Sequence, residues 1–397
     1  MTARPAVSPF ATPIHCGRPQ RRRSLQRGAR LLLGLLALAS GSAMATTFCV
    51  GTGNELASAL ETAANNGQND EIRIRTGTLV RTGLTGTVPR WPYDIGAGSG
   101  EARKSITVSG GWTSCSTQVI DPTLTVLDAQ NQGVAVYFQL YGSDAPVNLS
   151  NFTITRGMYN GNLSSRAAAN LTVTAPYSTS TLLLERLIIV AGSSSGESGV
   201  PGGVSLRGFG DGFGGKPMYI LRNSVIAYNA GVNMSGLDVR VTDAVVNLTN
   251  NSIFSNTSTG DTNCRCAGLH LINDMNSYVS NNVIVSNRDN ANRASDMNID
   301  LGSTYMRNNH IGNLFAEVPP VINLAMTTGS PGWTLVGIYP TPNPGSPLRD
   351  SGYNGPLGGV GTTDLAGNAR ITNGTIDRGA IEVEGVIIDL IFADGFQ

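Results

Sequence analysis

Hydroxyl, carboxylate and imidazole side chains recur at one position of a repeated pattern in this chain. An apolar residue, a polar residue and a second apolar residue return every 30 to 33 residues. The polar position is occupied by Thr172, Ser205, Asp238, His270 and Asp300. Because successive side chains of a strand point to opposite faces, the polar residues face away from their apolar neighbours. The sequence therefore predicts two carboxylates and an imidazole on one face of a sheet.

This arrangement could carry out proton transfer on a sugar. If strands stack about 4.8 Å apart, His270 lies between Asp238 and Asp300, whose separation is about 10 Å. Histidine or aspartate could move the proton, and Arg207 and Arg240, two residues further on, could bind the carboxylate of a uronate. We assign Asp238, His270 and Asp300 as candidate catalytic residues and the two arginines as candidate substrate ligands. The separation slightly exceeds the ~6.5–9.5 Å of an inverting glycosidase pair.

A structural interpretation of the same column competes with the catalytic one, and we favour it. The three side chains could form a hydrogen-bonded stack on a polar, solvent-facing sheet. The carboxylates are too sparse for a calcium site, so no metal site is predicted. The glycine-rich segment 210–216 has Pro217 where a phosphate-binding loop needs Ser or Thr. No cofactor is predicted.

A second pattern, interleaved with the first, supplies the scaffold. It reads apolar residue, any residue, Asn, two residues, Ile, with Ile-to-Ile steps of 35, 37, 27, 31 and 27 residues. Its asparagine position is occupied by Asn151, Asn223, Asn250, Asn281 and Asn308, with Arg186 as the exception. Stacked amides can donate and accept along the stack, and asparagine tolerates tight turns. We predict a structural asparagine ladder here.

Two strand registers with one shared period indicate a solenoid with at least two sheets per coil and room for a third.

Charged residues make up only 14% of the chain, against about 25% in average proteins. The net charge of zero gives no basis for a nucleic-acid partner. The predicted fold is all-β. Residues 46–100 form an N-terminal cap and the start of the solenoid, 101–318 the β-helix, and 319–397 an irregular region rich in Pro and Gly. The cap contains a short amphipathic helix over Glu55–Asn65.

The N-terminus has the features of an export signal. Arginines precede an apolar stretch, Leu31–Ala39, that is too short for a stable membrane anchor. Small residues at Ala43–Ala45 offer a cleavage site, which assigns residues 1–45 to a signal peptide and leaves no transmembrane helix in the mature chain. The pair Arg22–Arg23 leaves open the general and the twin-arginine routes of export.

Four cysteines remain in the mature chain, in an oxidising compartment. They are Cys49, Cys115, Cys264 and Cys266, and four cysteines allow three disulfide connectivities. We favour Cys49–Cys115 at the start of the fold and a local Cys264–Cys266 link. Zinc is the alternative for Cys264 and Cys266, but the spacing is one residue and a second pair is missing.

The mature chain resembles the secreted bacterial parallel β-helix proteins of the pectin-lyase-like fold. The resemblance is carried by the Asn-rich coils and the strand–turn segments Asn250–Asn256, Asn281–Asn287, Val108–Trp112 and Asp121–Asp128. The tail resembles the choice-of-anchor Q region in Ser346–Asp350, Asp364–Arg370 and Asp377–Glu382, where Arg378 replaces the usual Ile or Phe. The resemblance implies a right-handed parallel β-helix at the outer surface of a Gram-negative bacterium, or released from it.

The family's activities are diverse, so the resemblance does not assign a function. Our leading hypothesis is a monomeric, non-enzymatic adhesion or glycan-binding protein whose partner is a polysaccharide or cell-surface glycan. The alternative is a polysaccharide lyase or glycoside hydrolase that acts on an acidic polysaccharide through the Asp238, His270 and Asp300 face.

Overall fold

The computed structural model of the 397-residue chain describes residues 45–84, 88–97, 104–161, 167–196, 199–260 and 266–384. It is an all-β parallel β-helix, as predicted, with 23 strands hydrogen-bonded into one continuous sheet that winds from coil to coil. Each complete coil contributes strands to three faces. The predicted signal peptide lies outside the described residues, apart from Ala45.

The first face carries the candidate catalytic residues and the two candidate substrate-binding arginines. Its strands pair in parallel from one coil to the next. They are Trp91–Ile95, Val136–Leu140, Leu171–Ala175, Val204–Phe209, Leu237–Thr242, the first parts of Leu269–Ser280 and Met297–Arg307, and Leu314–Ala316.

The second and third faces flank the asparagine turn. The second face contains Thr46–Val50, Asp70–Arg75, Ile106–Ser114, the first parts of Val147–Thr155 and Thr181–Val190, Met218–Arg222, Val245–Thr249, the second parts of Leu269–Ser280 and Met297–Arg307, and Ile322–Leu324. The third face contains Gly77–Leu79, Thr125–Asp128, the ends of Val147–Thr155 and Thr181–Val190, Val225–Ala227, Ser252–Phe254, Val283–Val285 and His310–Ile311. A small parallel sheet of two-residue strands follows the third face, at Met158–Tyr159, Ser193–Ser194, Ala230–Gly231 and Thr257–Ser258.

The interior is filled by columns of the apolar residues that define the repeat. The isoleucines of the asparagine pattern pair directly, as in Ile189 with Ile154 and Ile226, and the leucines before the asparagine do the same, as in Leu221 with Leu184 and Leu248. These six side chains are 0–1% exposed. Burying such a side chain contributes about 1.5–3 kcal/mol, so each coil is stabilised mainly by its neighbours.

A helix at Gly53–Ala63 covers the first coil and begins two residues before the predicted start. The reason is a capping box. The Thr52 hydroxyl accepts from the Glu55 backbone N–H, and the Glu55 carboxylate accepts from the Thr52 N–H at 3.0 Å. The predicted apolar face is buried against the core, where the Trp91 indole also donates to the carbonyl of Gly53 at 2.9 Å. The Cys49–Cys115 disulfide is present and links the first strand, Thr46–Val50, to the turn that follows Ile106–Ser114. Cys264, the predicted partner of Cys266, lies outside the described residues.

The C-terminal segment, defined here as residues 346–384, runs back along the turn that carries the asparagine column. Its apolar residues pack on the outer side of the third face, where Leu348, Leu365 and Ile381 share a buried cluster with Phe254 and Val283. A hairpin at Trp333–Val336 and Tyr339–Pro342 precedes it. The irregular chain therefore lies along the solenoid and extends its core on the outside.

The asparagine column differs from the predicted ladder. All five asparagines have φ between 52° and 63°, the left-handed turn conformation that asparagine tolerates. Within the column the amides join at one step only, Asn281 to Asn250 at 3.3 Å. The side-chain amides of Asn223, Asn250, Asn281 and Asn308 instead donate to the carbonyl oxygens of Val360, Asp377, Tyr353 and Ser351. The column thus binds the C-terminal segment.

The amide ladder itself lies one residue further on. Asn251 donates to Asn282 at 3.0 Å, and Asn282 donates to Asn309 at 3.1 Å. These three side chains are 0–1% exposed and also donate to backbone carbonyls of the preceding coil. The ladder prediction was therefore wrong by one position, because side chains in the left-handed turn residue point out of the coil and the next ones point into it.

Candidate functional site

Asp238 lies at the centre of the first face, which carries the candidate catalytic residues. The register places Ser205, Asp238 and His270 side by side on adjacent strands, as expected from the repeat. The Asp238 carboxylate accepts hydrogen bonds from His270 Nδ1 at 2.8 Å, Arg207 Nη2 at 2.8 Å and Arg240 Nε at 3.0 Å. The structure therefore brings Asp238, His270 and both predicted arginines together.

Asp300 joins this group by a different route from the predicted one. His270 pairs with Asn298, and Asp300 is an extra residue between the pairs Leu271–Ile299 and Ile272–Leu301. The expectation that Asp300 aligns with His270 was wrong, because this strand bulges at Asp300. The bulge still brings the Asp300 carboxylate within 2.7 Å of His270 Nε2, and Asn298 donates to the other carboxylate oxygen at 2.7 Å.

Charge compensation governs the protonation of this group. Burial alone would raise the pKa of Asp238, but the hydrogen bond and charge of His270, with the charges of Arg240 and Arg207, outweigh it and lower that pKa below the usual 3.8. Burial alone would lower the pKa of His270, but its bonds to both carboxylates raise that pKa above 6.5. These bonds favour the imidazolium form of the ring, in which both N–H groups donate to aspartates.

Burial decides what this group can do. Asp238 is 0% exposed and His270 is 2% exposed, which contradicts the expectation of a solvent-facing sheet. The cover comes from the turns that precede the first face, since Arg207 reaches the Gly199 carbonyl and Arg240 reaches the Met234 sulfur. A proton-transferring group must come within hydrogen-bond reach of its substrate. Asp238 and His270 are enclosed by protein partners, so the geometry supports a structural network.

A groove on the second face was missed by the sequence reasoning. Tyr278 and Tyr305 pair directly on adjacent coils, and their rings stack with centroids 5.1 Å apart and an interplanar angle of 15°. Arg307 is two residues after Tyr305, and its Cζ lies 5.2 Å from the ring centre of Tyr353. The groove has a volume of about 380 Å³ and is closed on one side by residues 353–357. We call it the tyrosine groove.

The sequence contains part of the signal for this groove. Tyr278 and Tyr305 both stand three residues before an asparagine of the column, Asn281 and Asn308, so the repeat alone could have placed them together. Tyr353 belongs to the irregular C-terminal segment. Its position depends on the bond from Asn281 to its carbonyl, which no spacing in the sequence predicts.

A buried charged cluster holds the C-terminal segment together. The Arg370 guanidinium is 1% exposed and donates to the carbonyls of Asp377 and Gly379 at 2.8 and 2.7 Å. The Glu382 carboxylate lies 3.9 Å from Arg370 and accepts from the Asp377 backbone N–H at 3.0 Å. The Asp364 carboxylate accepts from the Glu382 N–H at 2.9 Å. Desolvation outweighs the attraction to Arg370 and raises the pKa of Glu382 to about 7.

This raised pKa predicts that stability falls as the pH rises from about 4.5 to about 7. In that window the unfolded chain has already released the Glu382 proton and the folded chain still holds it, so deprotonation costs the folded state up to about 3 kcal/mol. Thermal midpoints measured across this range test the sign. Glu382→Gln should reduce the slope, and Glu384→Gln, at an exposed position, should retain it. A slope that is identical in the Glu382→Gln variant contradicts the prediction.

Together these features define a parallel β-helix protein with a C-terminal segment bound along its turns. The chain matches no family model, no curated protein and no solved structure in comparisons with each. Among the described residues, no cluster of three or more His, Cys, Asp or Glu side chains is arranged to hold a metal ion. The helix of the described region is too short to cross a membrane.

Proposed function

We propose that this chain is an exported, monomeric glycan-binding protein that acts without catalysis at the surface of a Gram-negative bacterium or outside it. The observation that carries the proposal is the tyrosine groove on a rigid scaffold. Sugars present apolar C–H faces, which pack on aromatic rings, and hydroxyl groups, which bond to a polar rim. The C-terminal segment, which resembles a choice-of-anchor Q region, would serve attachment to the surface.

Polysaccharide cleavage is the competing function, and burial of the candidate residues counts against it. The carboxylate of Asp238 already accepts from three protein donors, and both ring nitrogens of His270 are bound to aspartates. Of the three candidates Asp300 is the most exposed, with 28% of its side chain accessible against 2% for His270. One hydrogen-bonded carboxylate without an accessible second acid–base group is a poor arrangement for cleaving a glycosidic bond.

Binding without turnover is the expected result when the mature chain, starting at Thr46, is incubated with a panel of neutral and acidic polysaccharides. Retention on immobilised glycans measures binding, and new reducing ends or unsaturated sugars in the supernatant measure cleavage. Retention on at least one glycan with no product supports the proposal. Product that disappears in an Asp300→Asn variant would establish the enzyme, and absence of binding to every glycan would refute the proposed function.

A further inference from the structure

We propose that the tyrosine groove takes a sugar residue that carries a carboxylate, as a uronate unit of an acidic polysaccharide does. This inference rests on the proposed glycan-binding function and gives it a site and a ligand class. It places the site on the second face, away from the first-face residues whose types suggested chemistry. The residues that define it are Tyr278, Tyr305, Arg307 and Tyr353.

The shape of the groove fits a ring-shaped ligand. Two coils supply Tyr278 and Tyr305, whose rings stack close to parallel on each other and line the groove. The side wall comes from residues 353–357, where Tyr353 is 36% exposed. The volume of about 380 Å³ lies within the ~300–1,000 Å³ of small-molecule sites.

The charge of the groove selects the ligand. Arg307 forms no ion pair with any residue in the part of the chain that the structure describes, and none of the described residues lining the groove is acidic. By contrast Arg207 and Arg240 are bound to Asp238, and Arg222 is bound to Glu185 at 2.8 Å. Among these four arginines, Arg307 is the one whose guanidinium has no carboxylate partner among the described residues and can bind an anionic ligand in the groove.

Arg307 is also held in position for a planar anion. Stacking of its guanidinium on Tyr353 restrains the plane of the group and leaves its N–H donors for other partners. Arginine binds carboxylates through two parallel hydrogen bonds, which gives geometric selectivity as well as energy. A uronate that lies against the stacked tyrosines in the groove can direct its carboxylate to this donor edge.

Titration calorimetry on the mature chain tests whether the groove binds a carboxylate. The ligands are oligoglucuronate and oligogalacturonate, each compared with its carboxyl-reduced neutral counterpart. The wild type should prefer the acidic forms. Arg307→Gln should weaken their binding at least about tenfold, because a hydrogen bond to a charged group is lost, and should leave the neutral forms unaffected. Tyr305→Ala should weaken the binding of both the acidic and the neutral forms, because it removes one of the two stacked rings that line the groove.

Two matched variants control for a general loss of charge or of aromatic surface. Arg288→Gln removes an exposed arginine outside the groove, and Tyr177→Ala removes an exposed tyrosine that packs against Phe209 on another part of the surface. Both should bind as the wild type does, and all four variants should keep the wild-type thermal midpoint within a few degrees.

The outcomes separate this inference from the proposed function. If the wild type binds glycans but Arg307→Gln keeps the same preference for acidic chains, the groove assignment is wrong and glycan binding stands. Loss of binding in Tyr177→Ala, with Tyr305→Ala unaffected, also overturns the groove. Equal affinity of the wild type for the acidic and the neutral forms refutes the role of the carboxylate, and a wild type that binds no glycan refutes both.

Discussion

Replacement of Asp238 by Ala is expected to lower the stability of the chain by about 3–5 kcal/mol. The change leaves His270, Arg207 and Arg240 without the acceptor that they share, inside a region where Asp238 itself is 0% exposed. Breaking a buried ion pair from one side costs more than the pair contributes, because the remaining charges stay desolvated. The imidazolium keeps Asp300 as its single partner.

Thermal and denaturant unfolding measure this loss, and Asp243→Asn provides the control, because asparagine tolerates the left-handed backbone of this position (φ 50°). Asp243 pairs with Lys216 at 3.0 Å, with roughly a third of each side chain exposed, so its removal should cost about 0–1 kcal/mol. A variant Asp238→Ala with the midpoint of the wild type, together with loss of a polysaccharide-cleaving activity, would contradict the structural role and support the catalytic one.

The pH dependence of the same network has two limits. The His270 pKa is raised in the folded chain, so its contribution is complete below about 6.5 and is lost as the pH rises through the raised value. The Asp238 pKa is lowered, so its contribution is complete above about 3.8 and is lost as the pH falls through the lowered value. The difference in stability between the wild type and Asp238→Ala should therefore be largest between about 3.8 and 6.5.

The repeat determined how much of this network was predictable. Stacking of equivalent residues is a direct consequence of in-register parallel strands, so the spacing alone brought Asp238 next to His270 and Arg207 next to Arg240. Burial was not predictable, because the covering residues, Gly199 among them, lie in turns of irregular length. Asp300 was displaced by a bulge, which adds one residue without a mark in the apolar pattern.

The asparagine column shows a different limit of sequence reasoning. Its spacing and its turn conformation followed from the repeat, and φ near 55° at Asn223 and Asn250 agrees with it. The partners of its amides are the carbonyls of Val360 and Asp377, 127 to 137 residues away in chain that has no repeat. A contact between the repeating coils and a segment without a repeat cannot be predicted from the spacing of residues in the sequence. The tyrosine groove escaped prediction for this reason, since Tyr353 comes from the same segment.

Replacement of Arg370 by Met is expected to release the C-terminal segment from the solenoid, at a cost of about 3–5 kcal/mol. Arg370 is the cation that offsets the buried carboxylates of Asp364, Asp377 and Glu382, and it also joins the backbone at Asp377 and Gly379. Without it the carboxylates repel one another in a desolvated site. The loss should be larger near pH 8 than near pH 6, because protonation of Glu382, whose pKa is about 7, relieves part of the repulsion.

Hydrogen exchange resolves this prediction by segment. Arg370→Met should raise exchange across residues 346–384 and leave the coil strands, such as Leu237–Thr242, as protected as in the wild type. Arg349→Met is the matched control, because its guanidinium donates to the Glu384 carbonyl in an exposed position. Uniform protection in Arg370→Met would show that the asparagine column and the apolar contacts suffice to bind the segment. Increased exchange should bring with it a loss of affinity for acidic glycans, because Tyr353 and the wall of the tyrosine groove leave with the segment.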